Sequence, residues 1–374
     1  MICTHRPPCP GCPRFGERGI AEPALRSLND LAERHGLPQV PVISGQMTGF
    51  RQRARLAIRG RLGSPKLGLF ELGTHHVVHV PNCVVHHPLI NRVASVVRKA
   101  LVDAKVTPYS DTSHLGLARY LQVVVERSSE TAQVVLVGNS ESADPFVPCF
   151  ELIRERLGAE LHSLWWNRNT QRVNTILGPE FHALCGPPSV TERFGGNRVH
   201  YPPGAFGQNN LNIAERIIEY VREQLPEGAR VAEFYAGVGA IGLSVLERVS
   251  ELRLNELSPH SLSGLSLGLG ELTQAERAKI SVQVGPAGEA RGIAAGMDVV
   301  IADPPRKGLD PVLTTALSEE PPGRFIYVSC GLESFLNDAE RLLAGGKLRL
   351  SALTAFNLIP NTYHVETVAR FERA

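Results

Sequence analysis

The chain has 374 residues, 43% hydrophobic and 20% charged, with a formal net charge of +2. That length allows two or three domains with their own cores, and the composition is ordinary for a globular protein. There is no run of roughly eighteen apolar residues that would span a membrane, and the opening MICTHRPPCPGCPRFG lacks a signal peptide's apolar stretch, so a cytoplasmic protein without a membrane partner is expected.

The whole-chain charge does not announce nucleic acid, but its distribution is uneven. Residues 1–60 carry nine arginines and no lysine against Glu17, Glu22, Asp30 and Glu33. Cys3, Cys9 and Cys12 form C-x5-C-x2-C, with Cys83 further on. Thiols in a reducing compartment rarely pair as disulfides, so a metal or iron–sulfur centre is the better reading, with zinc an alternative on spacing alone. A helical pattern from about Glu22 to His35 stops at Gly36. Next, Arg51, Arg53 and Arg55 alternate with other residues, which in a strand puts three guanidiniums on one face. Such a stripe suits phosphate, although a merely solvated face is about equally common.

Residues 37–205 read as a mixed, β-rich region. Val77–Val80, Tyr120–Glu126 and Gln133–Val137 have strand character, Leu89–Asp103 has helical periodicity, and Pro and Gly punctuate the rest. Cys149 and Cys185 look structural.

From about Gln208 the texture becomes regular. A helix (Leu211–Gln224) precedes a strand (Arg230–Tyr235), a glycine turn and a further helix. Strands follow near Glu251–Glu256, Ile280–Gly285, Asp298–Ala302 and Arg324–Ser329, with Leu348–Ala355 and Val365–Phe371 closing the chain. A weak Gly/Ser-rich helix lies at Ser261–Gly270. This alternation predicts a parallel α/β sheet with ligands at its strand C-termini.

The motifs fall at those ends. In the turn Glu233-Phe-Tyr-Ala-Gly237-Val-Gly239-Ala-Ile-Gly242 the glycines are spaced G-x-G-x-x-G, and Glu256 lies 19 residues beyond Gly237. Glycines let a nucleotide approach the backbone, and the second-strand acid suits ribose hydroxyls. NAD and S-adenosylmethionine (SAM) both fit, and an acid before the turn, Glu233, favours SAM. Asp303-Pro304-Pro305-Arg306-Lys307-Gly308 puts an acid and two rigid prolines after the next strand but one. No aromatic residue follows them, which argues against methylation of an amino group. Cys330 ends the following strand. A thiol near a helix N-terminus can have a lowered pKa and act as a nucleophile, although a lone cysteine is more often core. Glu366, with His364 nearby, opens the last strand and suits a general base.

Together these residues resemble one family, the RNA uracil-C5 methyltransferases of the TrmA, RumA and RumB types. Phe206-Gly-Gln208-Asn-Asn210 resembles the family's F-x-Q-x-N segment, Phe234–Gly242 its SAM turn and Asp303–Gly308 its DPPRKG segment. Ser329-Cys330 resembles its nucleophile, and Pro360-x-Thr362-x-His364-Val365-Glu366 its base motif. The resemblance implies an α/β fold: a Rossmann-like SAM-dependent methyltransferase domain (206–374), a central RNA-binding domain (37–205) and an N-terminal cluster segment with its helix (1–36). It implies that Cys330 attacks C6 of a uracil, that Glu366 removes the C5 proton and that Asp303 holds the base. It further implies that Gln208, Tyr235, Gly237, Gly239, Glu256 and Asp303 contact SAM, that Phe206, Arg51 and Arg53 contact RNA, and that Cys3, Cys9, Cys12 and Cys83 hold a [4Fe-4S] cluster. RumA-type enzymes begin with a small β-barrel domain. The cluster cysteines here lie within twelve residues of Met1, so the layout is expected to be of the RumB type, a probable monomer acting on 23S rRNA, with no protein partner implied. The same chemistry on tRNA, or a non-catalytic RNA-binding iron–sulfur protein, are the alternatives. Two positions depart from the family pattern. Gly331 stands where Asn usually follows the nucleophile, and Gly285-Pro286-Ala287 stands where an acid usually reaches the adenine, with Glu289 as a substitute.

Overall fold

A computed structural model describes residues 2–374. The chain divides into two units. The first takes the chain up to Gly16, Gln46–Glu192 and Tyr201–Leu211, and the second takes Glu17–Gly45, Arg193–His200 and Asn212–Ala374.

The first unit is built on a seven-stranded sheet in the order Val77–His79, Ser64–Phe70, Arg53–Arg61, Ala118–Glu126, Thr131–Gly138, Leu161–Arg168, Glu180–Cys185. Neighbours are antiparallel except Thr131–Gly138 with Leu161–Arg168. That pair is parallel because the helix Val147–Leu157 carries the chain across between them. Helix Pro88–Asp103 turns Ile90, Val93, Val97 and Leu101 into a core with Val123, Leu136, Phe150 and Ile153. The strands expected near 77, 120 and 133 and the helix expected from Leu89 are all present, with ends moved by one or two residues.

The second unit holds an eight-stranded sheet. Its strands are β1 (Val42–Ile43), β2 (Ala229–Phe234), β3 (Val249–Glu256), β4 (Ile280–Val284), β5 (Val299–Ala302), β6 (Arg324–Ser329), β7 (Leu348–Phe356) and β8 (Glu366–Arg373). Their order is β1-β7-β8-β6-β5-β2-β3-β4. Only β8 runs antiparallel to its neighbours β6 and β7. From β2 the chain winds outward through β3 and β4, then returns to β5 on the other side, so the winding reverses between β2 and β5. A ligand crevice is expected outside the strand C-termini at such a reversal.

Six helices accompany this sheet: α1 (Glu22–Arg34), α2 (Leu211–Glu223), α3 (Pro259–Gly270), α4 (Gln274–Ala278), α5 (Pro311–Glu319) and α6 (Leu332–Ala344). Helix α1 was expected with the cysteine segment, in 1–36. It lies instead in the second unit, because its apolar stripe of Ala24, Leu28, Leu31 and Ala32 is buried in one core with Leu348, Leu350 and Phe371. The expected boundary at 205/206 likewise falls elsewhere, since 201–211 belongs to the first unit. The helix expected straight after the glycine turn is a 3-10 segment, Leu243–Arg248. Only six residues separate Gly242 from β3, too few to offset the cost of nucleating an α-helix. No helix among the described residues is long and apolar enough to cross a membrane.

Candidate active site

Strand β2 delivers the chain into a turn with three left-handed residues, Tyr235 (φ 60°), Gly237 (φ 61°) and Gly239 (φ 84°). For a tyrosine this costs about 1 kcal/mol, and its hydroxyl anchors the conformation by accepting the Asp310 N–H at 2.9 Å. The glycines do different work. A Cβ on Gly237 would meet nothing within 4 Å, whereas one on Gly239 would lie 2.8 Å from Leu265 and one on Gly242 2.3 Å from the Glu233 carboxylate. Open space therefore lies over Gly237. Gly239, expected at the cofactor, is required by packing. Glu256, at the end of β3, accepts the Gly237 N–H at 2.7 Å with one oxygen and the Leu257 and Ser258 N–H groups at 2.7 and 2.6 Å with the other. Three backbone donors thus fix the Glu256 carboxyl group beside the open glycine, the placement a ribose diol needs.

Two residues beyond Pro286, where the acid of the family pattern is missing, Gly288 packs against one from elsewhere in the chain. Gly288 runs so close to Asp310 that a Cβ would lie 2.3 Å from its carboxylate oxygen. Glu289, the substitute considered from sequence, is exposed.

Three expected catalytic groups gather at one end of β5, β6 and β8. Asp303 follows β5, and burial raises its carboxyl to about 7. The antiparallel register pairs Ser329 with Thr367, so the next residue pair along the ladder is Cys330 and Glu366. Glu366 is 3% exposed, and its Oε1 has no hydrogen-bond partner. Burial and then Asp303 push its carboxyl well above the usual range, against the lowering effect of Arg306. Cys330 is half-buried. Burial, then Glu366 and Asp303, raise its thiol to about 11, and Arg306 opposes them.

The lowered thiol pKa expected from a neighbouring helix N-terminus is therefore reversed. Two carboxyl groups and a partly desolvated site outweigh the partial charge of a helix end. Arg306 is the cation acting on both Cys330 and Glu366, and its Nη2 lies 3.4 Å from Nε2 of His364. Glu233 is 1% exposed, and burial, Asp303 and Glu256 raise it well above the ordinary range.

The sequence reading missed the groups that hold this end together. Gly331 fits where it stands because a Cβ would lie 2.5 Å from the Arg306 carbonyl and 2.6 Å from Ser334 Oγ. Ser334 donates to that same carbonyl at 2.8 Å. One turn on, buried Asp338 accepts the Leu309 N–H at 2.8 Å and the Tyr327 hydroxyl at 2.7 Å. The signal was present as an i, i+4 pair of polar residues on the helix after Cys330.

The remaining expected site residues lie in the first unit. Phe206 is 69% exposed, free to stack on a base, and Gln208 is half-buried in the same segment. The arginine stripe is corrected. Arg53 is buried, donates to the Ala205 carbonyl at 2.7 Å and stacks over Tyr201. Burial pulls its pKa down to about 10. It braces the segment carrying Phe206 and Gln208 instead of facing phosphate, because a buried guanidinium needs fixed acceptors. Arg51 is also mostly withdrawn, lying where Cys83 and Cys12 are its electrostatic neighbours.

The four cysteines expected to hold a cluster share this unit and influence one another. Burial, then Cys83, Cys9 and Cys3, raise Cys12 to about 11. Among the described residues, however, no group of three or more His, Cys, Asp or Glu side chains is arranged to hold a metal ion. The arrangement of these side chains therefore gives the expected [4Fe-4S] site no support.

No family model matches the chain. An RNA methyltransferase of Protochlamydia amoebophila is 35% identical over 380 residues, covering 100% of this chain and 98% of that protein. The chain belongs to this family of RNA methyltransferases. A second member, from Geobacter sulfurreducens, is 27% identical over 98% of the chain and 76% of its own length. Among solved structures, the tRNA (uracil-54, C5)-methyltransferase of Pyrococcus abyssi, determined with S-adenosyl-L-homocysteine, superposes with a TM-score of 0.75 over 94% of this chain and 83% of that one, at 24% identity.

Proposed function

We propose that this RNA methyltransferase is SAM-dependent and methylates C5 of a uridine through a covalent bond from Cys330. The observation that carries the reading is the buried, unpartnered Glu366 oxygen on the strand paired with the one that ends at Cys330. A core cysteine needs no such neighbour, whereas a nucleophile whose adduct must lose a proton does.

Tyr235, the open side of Gly237 and the oriented Glu256 are the groups to receive SAM, with Asp303 completing the set. When bound, SAM supplies an electrophilic methyl group. The rest falls to the chain's own residues. Asp303, proton-bearing up to about neutral pH, hydrogen-bonds the uracil edge. Cys330 loses its proton to solvent, with Arg306 favouring the thiolate, and its sulfur adds to C6. The displaced C5–C6 electron pair moves towards O4 and returns through C5 to the methyl carbon, whose bond to the sulfonium sulfur would break and leave S-adenosyl-L-homocysteine. Glu366, as carboxylate, then takes the C5 proton. The electrons of that C–H bond restore the C5–C6 double bond and expel the Cys330 thiolate. Burial makes the Glu366 carboxylate a stronger base than a solvated one. The uridine must leave any stack to reach Cys330, and the exposed Phe206 ring is suited to stacking on an RNA base. No step runs through the N-terminal cysteines.

The resemblance to RumB-type enzymes favours 23S rRNA, while the Pyrococcus enzyme acts on tRNA. Mapping 5-methyluridine in rRNA and tRNA from cells with and without the gene tests the reading. Loss of one rRNA site supports it, and an unchanged map of both RNAs overturns it. Iron with equimolar sulfide in anaerobically purified protein would restore the cluster expectation.

A further inference from the structure

A basic groove in the first unit takes no part in the chemistry above. It is a cavity of about 530 Å³ walled by helix Pro88–Asp103, the end of helix Val147–Leu157 and the turn at Gly63. The first helix buries Ile90, Val93, Val97 and Leu101 in the core, so its other face turns Arg92, Arg98, Lys99 and Asp103 to the groove, and Arg156 joins them from the second helix. Arg92 and Lys99 are seven residues apart, two helical turns or roughly 10 Å along one face.

The charges do not cancel. Arg156 pairs with Asp103 at 2.6 Å and Arg92 with Glu160 at 3.3 Å. Arg98 uses its Nε on the Pro65 carbonyl at 2.8 Å, which orients the guanidinium without neutralising it. Lys99 is exposed and has no carboxylate partner among the described residues. Two cations are therefore left over in one concavity of a chain whose total excess is only +2. A solvated helix face spreads its charges and needs no cavity.

We propose that this groove binds the phosphate backbone of the substrate RNA. The proposal rests on the RNA methyltransferase reading above. RNA fits better than an acidic protein because the groove has no aromatic wall and no deep apolar floor to anchor a protein side chain. The absence of an aromatic platform also means that bases are not stacked there. What remains is charge, which recognises phosphodiesters irrespective of sequence. The groove therefore adds affinity and register without choosing the uridine.

The test compares the full-length protein with R98A/K99A and with the charge-preserving swap R98K/K99R, using a protein-free 23S rRNA transcript across a salt series, with polyglutamate as a competitor. The expected result is roughly 3- to 30-fold weaker binding by R98A/K99A at low salt. The slope of log K against log salt should become shallower by about 1 to 2, as for one or two lost phosphate contacts. R98K/K99R should bind like the unaltered protein, and all three should remain folded, with melting temperatures within a few degrees, since the Arg98–Pro65 bond is worth only about 1 kcal/mol. Unaltered affinity and slope in R98A/K99A would overturn the groove alone. No binding by the unaltered protein would overturn the RNA reading with it. Competition by polyglutamate as effective as by RNA would assign the groove to an acidic protein instead.

Discussion

The Ser334 hydroxyl donates to the Arg306 carbonyl at 2.8 Å, tying the helix that follows Cys330 to the loop that carries Arg306. Asp338 adds a second tie, through the Leu309 N–H. The Arg306 guanidinium is thereby held where it lowers the proton affinity of both Cys330 and Glu366. Removing the Ser334 tie costs about 1 kcal/mol of stability. In Ser334→Ala the apparent pKa for alkylation of Cys330 is expected to rise, while Ser334→Thr keeps it. A purely structural role would lower the melting temperature and leave the alkylation profile unmoved.

Cys330 itself is expected to alkylate slowly at neutral pH. Its thiol is raised to about 11, so the rate of modification by iodoacetamide should climb about tenfold per pH unit from 7 to about 10, since only the thiolate reacts. Cys330→Ala should abolish methylation altogether. A profile with its midpoint below 8, or full activity in the alanine variant, would contradict the site as described.

Replacing Glu366 separates the two halves of the reaction. Glu366→Gln keeps the shape and removes the base, so a covalent protein–RNA adduct should accumulate on denaturing gels. The same variant has a pH signature. The Glu366 carboxyl binds its proton more tightly folded than unfolded, so its contribution to stability is full below the ordinary carboxylate range and is lost as pH rises above it. Glutamine escapes that loss. The variant should match the unaltered protein near pH 4 and melt higher at pH 8, each ~1 kcal/mol appearing as roughly 2–4 °C.

Gly331 is expected to tolerate nothing larger. In Gly331→Ala the new methyl would meet the Arg306 backbone at 2.5 Å, and the loop has to move. A loss of about 1–3 kcal/mol and a marked fall in methylation should follow, read by thermal melting and by tritium transfer from labelled SAM. Unchanged melting would show that the loop yields freely.

Glu256→Gln should weaken SAM binding and leave RNA binding intact. The carboxylate accepts three backbone N–H groups, and an amide, with only one acceptor oxygen, cannot keep all three bonds. Calorimetric titration with SAM checks this, and NAD titrated in the same way separates the two cofactors the glycine turn allows.

Strand-by-strand, the α/β order of 206–374 was legible in the sequence, because buried parallel strands are continuous apolar runs that end in chemistry-bearing residues. The placement of Cys330, Asp303 and Glu366 at strand ends was legible for the same reason: each ends or begins such a run. What the sequence left undetermined depends on neighbours that are distant in the chain. Arg51 and Arg53 alternate as a phosphate stripe would, but Ala205 and Tyr201 come from more than a hundred residues away to occupy Arg53. Helix α1 adjoins the cysteines in sequence, yet its apolar stripe packs with Leu348 and Phe371. The Cys330 thiol is the sharpest case. Local sequence places it before a helix and suggests an acidic thiol. Only the fold brings Glu366 and Asp303 beside it and reverses the sign, because electrostatic energy is set by distance and burial, which the order of residues does not specify.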